Sequence, residues 1–181
     1  MQLNYFGGLR ATRGLVPGKV AKRKGHVVNT GSISVLVNAP RFSAYVASKA
    51  ALDAWTSCAA IEFADQGVTF TTVNMPLVRT PMTAPTKIHD NMPLLSTDEA
   101  SDLIVQACVD KPVRVATRLG ISVELLHATV PLITQILMNT TFRMLPDCAA
   151  AKSEKTGKSG GKATLSPEAM AMAEMMRCIH F

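Results

Sequence analysis

Aromatic residues are scarce in this chain, with one Trp, two Tyr and six Phe among 181 residues. None is interleaved with basic side chains, which excludes a stacking platform for single strands and leaves no nucleic acid partner expected. No uncharged apolar run reaches the roughly eighteen residues that a membrane-spanning helix needs. The N-terminus, MQLNYFGGLRATRG, has no apolar core followed by a small-residue cleavage site and does not read as a secretory signal. The four cysteines (Cys58, Cys108, Cys148, Cys178) lie far apart without a C-x-x-C pair. Cys178 and His180 offer only two ligands at a chain terminus, so no metal site is expected. Reduced thiols in a cytoplasmic protein follow. No internal period is present, which excludes repeat architectures.

What is present suits one domain with a tail. The hydrophobic share of 48% excludes disorder throughout. The net charge of +6 is concentrated in Arg10, Arg13, Lys19, Lys22, Arg23 and Lys24, and again between Lys152 and Lys162. A solvated helix face and a basic linker account for it, and an acidic, phosphate-bearing ligand is compatible with it.

Apolar positions at helical spacing (Leu3, Phe6, Leu9, Leu15, Val16) predict a helix over residues 3–16, broken near Pro17. Residues 25–31, bounded by glycines, read as a buried strand. Residues 44–64 are alanine-rich and free of proline, a helix that stops at Gln66-Gly67. Residues 68–73 (VTFTTV) are a second strand. Pro76, Pro81, Pro85 and Pro93 punctuate a loop, and Ser96 or Thr97 caps a helix running to about Val109. Residues 113–117 read as a third strand and residues 120–145 as a long apolar helix bent at Pro131. Strands alternating with helices mean a parallel sheet. Three strands leave it with exposed edges, so the fold expected is α/β, the C-terminal half of a doubly wound (Rossmann-like) domain. The division is residues 1–149 as the catalytic half, 150–165 as a Lys/Ser/Gly linker and 166–181 as a C-terminal helix. Gly157-Lys158-Ser159 imitates the end of a phosphate-binding loop, but Lys152 stands where its first glycine belongs, and it is read as linker.

Tyr45 and Lys49 stand four apart on the 44–64 helix and share one face. A phenol is a poor acid–base catalyst near neutrality, and a fixed ammonium beside it favours the phenolate. Taken alone the pair also suits an ordinary exposed helix face. Ser32 follows the first strand, where the C-terminal edge of a parallel sheet presents residues to a ligand, thirteen residues before Tyr45. Serine and tyrosine can therefore converge on one carbonyl.

Gly31-Ser32 with Tyr45-x-x-x-Lys49 resembles the catalytic pattern of the short-chain dehydrogenase/reductase family. Asn4, twenty-eight residues before Ser32, matches that family's helix asparagine. VNMPLVRTPM (residues 73–82) resembles the segment after the following strand, with Met75-Pro76 where Pro-Gly is usual. The wording NAPRFSAYVASKAALDAW, MPLVRTPMTAPTKIHD and MMRCIHF is similar to bacterial fatty acyl-coenzyme A reductases of the family. The resemblance implies a catalytic set of Asn4, Ser32, Tyr45 and Lys49. Tyr45 exchanges the proton, Lys49 assists it and holds the nicotinamide ribose, Ser32 polarises the carbonyl, and Asn4 organises a water behind Lys49. It implies Pro76, Val78 and Thr80 at the nicotinamide, NADP or NAD as cofactor with NADPH favoured, and an acyl or other carbonyl substrate.

The family's T-G-x-x-x-G-x-G turn is absent from the sequence. Met1 then corresponds to an internal methionine of longer members, as in a truncated product, a misplaced gene start or one part of a split protein. Three functions follow as alternatives. One is an oxidoreductase, inactive as this chain alone. Another is a non-catalytic remnant that acts by pairing with another chain, either as a homo-oligomer or through its exposed sheet edge. The third is a protein with weak membrane-surface contact through residues 120–145 and the basic linker. An in-frame glycine-rich strand-turn-helix encoded upstream of Met1 separates the first two. For the chain alone, isothermal titration with NADPH or NADH should show no measurable binding, and micromolar binding would overturn the expectation.

Overall fold

A computed structural model describes residues 1–40, 42–81 and 94–144. A π-helical segment, Gln2–Gly7, runs into α1 (Gly8–Ala21), followed by β1 (Gly25–Thr30), a one-turn α2 (Ser34–Val37) and α3 (Ser43–Glu62). A short 3-10 turn, Ala64–Gln66, leads to β2 (Val68–Val73). Then come α4 (Thr97–Asp110), β3 (Arg114–Val115), α5 (Arg118–Thr129) and α6 (Pro131–Met144). The three strands are parallel in the order β1-β2-β3, with Val27 opposite Phe70 and Val73 opposite Val115. This is the α/β, Rossmann-like arrangement read from the sequence. The expected linker and last helix lie outside the described residues.

The two faces of the sheet are sorted by the two-residue period of the strands. Val68 and Phe70 of β2 pack with Val16 of α1 and Ala59 of α3, and Trp55 meets Phe70 edge-on. Val73 points the other way and packs with Ala107 of α4 and Val115 of β3. Val68 and Val73 are fully buried, each worth roughly 1.5–3 kcal/mol of transfer free energy. Both connections step in the same direction across the sheet, yet α3 and α4 cover opposite faces. They therefore have opposite hands, and one is the uncommon left-handed kind. On the α4 face, His26 ties the layers together. Its Nε2 lies 3.0 Å from the Ala107 carbonyl and its Nδ1 2.8 Å from Thr69 Oγ1. A carbonyl only accepts, so Nε2 carries the hydrogen.

Several bounds differ from expectation, each for a local reason. The first helix is not broken at Pro17 but continues to Ala21. Proline removes one helical bond, while Val16 and Val20 on either side are anchored in the core. The helix expected over 120–145 is two helices. Val130, preceding Pro131, is pushed out of the helical region to φ −136°, ψ 69°, and Pro131 starts α6, where its missing N–H costs nothing. The third strand is shorter than expected, and α2 was not expected at all. Ser96 proves to be the cap of α4. Its Oγ accepts from Glu99 N–H, while the Glu99 carboxylate accepts from Ser96 N–H and from Ser96 O–H, and these last two bonds hold the Glu99 carboxyl below its ordinary value.

Gly67 closes the turn into β2 at φ +75°, and a Cβ there would collide with the Arg23 carbonyl oxygen. Gly67→Ala should destabilise the fold by about 1–3 kcal/mol, read from urea unfolding. An unchanged midpoint would show that the turn is not fixed as described.

Candidate functional site

The C-terminal ends of β1 and β2 carry the polar loops, and α3 starts above them. Lys49, in the second turn of α3, donates from Nζ to the Thr30 carbonyl at the end of β1, 3.0 Å away. Partial burial pushes its pKa down from the ordinary 10.5. This contact brings α3 to the strand end that continues into Gly31-Ser32. Gly31 is buried and donates to the Val73 carbonyl (2.8 Å). A Cβ on it would stand 3.2 Å from Asn74 Nδ2 and from Thr72 Cγ2, so glycine lets the two strand ends close up.

Ser32 Oγ lies 2.9 Å from Ser34 Oγ and accepts from Ser34 N–H (3.3 Å). With Ser34 donating from both atoms, both Ser32 lone pairs are used and its own O–H can turn toward a ligand. Two further bonds anchor this loop to the end of β2. Ile33 N–H donates to the Met75 carbonyl (3.0 Å), and Asn74 Nδ2 donates to the Ser32 carbonyl (3.4 Å). Asn74 is almost wholly buried, and its Oδ1 has no partner among the described residues.

Tyr45 sits in the first turn of α3, one turn before Lys49, and is 40% exposed. Asn4 lies against the same stretch of α3. Its Nδ2 donates to Ser48 Oγ (3.0 Å), and Ser48 Oγ donates to the Tyr45 carbonyl (2.7 Å). Deeper along α3, Asn29 Nδ2 donates to Thr56 Oγ1 (2.8 Å), fixing the helix on β1. Pro76 is buried just past β2, and Val78 forms a parallel bridge with Leu95. Arg79 N–H to the Leu95 carbonyl and Leu95 N–H to the Leu77 carbonyl (both 2.9 Å) hold this segment extended. Thr80 is half-buried at its end.

The structure thus gathers Ser32, Lys49, Asn4 and the Pro76 segment onto one edge of the sheet. Ser34, Ser48 and Asn74 were missed by reasoning from sequence.

Beside α2 lies a groove of about 390 Å³, lined by Val37 and Asn38, by His127 of α5, and by Thr134, Gln135, Met138 and Asn139 of α6 among others. The aliphatic residues of α5 and α6 that could offer a wall to an acyl chain (Leu125, Leu126, Leu132, Ile133, Ile136, Leu137) do not line it. All but Leu126 are exposed. The break at Val130 starts α6 as a helix of its own, so one apolar phase read across residues 120–145 does not carry through. Met82, Ile88 and Met92, apolar residues of the proline-punctuated loop that could offer a further wall, lie outside the described residues.

A family model described as "short chain dehydrogenase" matches residues 1–91. The chain is 49% identical over 155 residues to a fatty acyl-CoA reductase of Acinetobacter baylyi, covering 86% of this chain and 52% of that protein. It is 44% identical over 139 residues to a fatty acyl-CoA reductase of Mycobacterium tuberculosis, covering 76% and 47%. The chain therefore spans about half the length of the curated relatives it matches. Among solved structures, a short chain dehydrogenase of Burkholderia cenocepacia in complex with NADP is similar at TM-score 0.66 and 24% identity, over 76% of this chain and 56% of that one. A 3-ketoacyl-(acyl-carrier-protein) reductase of Brucella melitensis complexed with NADH is similar at TM-score 0.52 and 26% identity, over 58% and 47%.

The depressed Lys49 value has a definite sign. The folded chain holds fewer protons than the unfolded one between its lowered value and 10.5, so this group's contribution to stability rises with pH across that window. In an NMR titration of labelled lysine side chains, the Lys49 resonance should move at a pH below 10.5. Titration at the ordinary value would place the ammonium in open solvent and dissolve the contact with Thr30.

Proposed function

The chain belongs to the short chain dehydrogenase family, and we propose that its site handles the proton and the carbonyl in an NAD(P)H-dependent reduction of a fatty acyl-coenzyme A, fatty aldehyde or related carbonyl. The observation that carries this reading is the Lys49–Thr30 contact. It sets a cation one helical turn from Tyr45 and against the strand end that leads into Ser32.

The residues suit the nicotinamide end of the cofactor. An ammonium has three donors, of which Thr30 takes one, and the others can reach ribose hydroxyls. Pro76, Val78 and Thr80 lie on an extended segment joined to the Ser32 loop through Met75, which suits a flat ring and its carboxamide. Bound nicotinamide supplies the hydride. The rest falls to this chain. Ser32 directs its O–H at the carbonyl oxygen as negative charge develops there. Tyr45 delivers the proton to that oxygen, with the Lys49 ammonium favouring the phenolate left behind. Asn4 acts through Ser48 on the α3 backbone at Tyr45 and so positions the phenol.

Similarity to two fatty acyl-CoA reductases supports an acyl-coenzyme A or fatty aldehyde as substrate, and reduced thiols in the cytoplasm accord with this. The choice of NADPH over NADH rests on the resemblance alone. A second reading has its own support. β1 ends the sheet, and its outer edge carries no strand among the described residues. A segment from another chain added there, or a second copy, would make the working unit larger than this chain.

A chimera joining this chain to the remaining part of the A. baylyi relative tests the catalytic reading. It should oxidise NADPH when given a fatty acyl-coenzyme A, and Tyr45→Phe should lower turnover by roughly 10²–10⁴-fold with cofactor affinity nearly unchanged. Undiminished turnover in the Tyr45→Phe chimera would remove Tyr45 from proton transfer.

A further inference from the structure

α6 turns several aliphatic side chains to solvent. Thr134 faces inward at only 3% exposed, and the exposed Gln135 and Asn139 line the groove beside α2 together with Met138 and Phe142. Its aliphatic residues look out. Leu132 (65% exposed), Ile133 (53%), Ile136 (59%) and Leu137 (36%) fall at the spacing of one helical face. Arg143, seven residues after Ile136, continues the same face and is exposed. Contiguous exposed apolar surface of this kind marks a site that something covers.

Charge indicates the occupant. No Asp or Glu occurs between Glu124 and Asp147. Glu124 itself is held by the Arg114 guanidinium, with both carboxylate oxygens 2.9 Å from Nη1. The face is therefore apolar with a cationic end, on a chain whose net charge is +6. The same net charge makes two copies repel and an anionic surface attract. No helix among the described residues is long and apolar enough to cross a membrane, so contact would be with the bilayer surface. We propose that the outward face of α6 docks on an anionic lipid surface, with Leu132, Ile133, Ile136 and Leu137 entering the acyl boundary and Arg143 meeting the headgroups. This goes beyond the reductase reading and does not rest on it.

Flotation of the full chain with phosphatidylcholine vesicles, with and without phosphatidylglycerol, tests the docking. Binding is expected only with phosphatidylglycerol, weakened by salt, and roughly tenfold weaker after Ile133→Ser with Ile136→Ser. The melting temperature should not move, because both side chains are exposed. Binding that survives the double substitution would assign the attraction to basic residues elsewhere and overturn the proposal. Absence of vesicle binding would overturn it as well. A dimer that the double substitution dissociates would then show that a second copy covers the face. A monomer whose melting temperature the substitutions lower would show that the chain's own residues cover it.

Discussion

Lys49 must keep an ammonium partly out of water, and the Thr30 carbonyl at 3.0 Å is what makes that position tenable. Much of the surrounding geometry follows from that pairing. The carbonyl closes β1, so the cation fixes the height of α3 above the sheet and the turn that carries Tyr45. The residues after Thr30 enter the Ser32 loop, so the same bond relates the phenol to the serine. Two more polar bonds hold the helix from other directions: Asn29 to Thr56 beneath it, and Asn4 to Ser48 from the first helical segment. Farther along, apolar packing of Ala59 against Val68 and Phe70 takes over. The helix is thus aimed by hydrogen bonds at its working end and held by burial at the other. Hydrogen bonds have direction and burial has none, which suits the two tasks.

The elements that depend on short-range pattern were legible in the sequence. The proline-free run of residues 44–64, the β-branched VTFTTV strand and the acidic start of α4 each state their structure in the residues they contain. Tyr45, Lys49 and Ser32 were read through the resemblance to the short-chain dehydrogenase pattern, since the helix period alone leaves Tyr45 and Lys49 as an ordinary exposed pair. What escaped depends on partners distant in sequence. Asn4 spends its amide on Ser48, and Asn74 reaches back to the Ser32 carbonyl. Neither pairing has a local signature. Pro17 and Pro131 show that the context of a proline decides its effect. The first lies between the buried Val16 and the partly buried Val20 and is absorbed into its helix. The second displaces Val130 and divides a helix in two.

That division reassigns the chemistry of the last two helices. A single apolar stripe over residues 120–145 suggests a wall for an acyl chain. Two helices with independent phases place amides and a buried threonine toward the groove and the aliphatic residues outward. Composition is identical in the two cases, and orientation alone separates an internal channel from an external contact.

The sheet is fastened unevenly. β1 and β2 share six register pairs, whereas β3 meets β2 through two. Arg114, one of the two paired β3 residues, also bridges Asp53 of α3 and Glu124 of α5, on a side chain about one-third exposed, where such ion pairs stabilise little. Opening free energies within a fold scale with what must be undone. The leaf made of β3, α5 and α6 can therefore part from the sheet at lower cost than the β1–α3–β2 unit can unravel. Amide exchange would then be layered, with slow protons in β1 and β2 and fast ones in the leaf. A groove walled by that leaf could admit a bulky ligand by breathing, while the β1–α3–β2 unit keeps Ser32, Tyr45 and Lys49 in register.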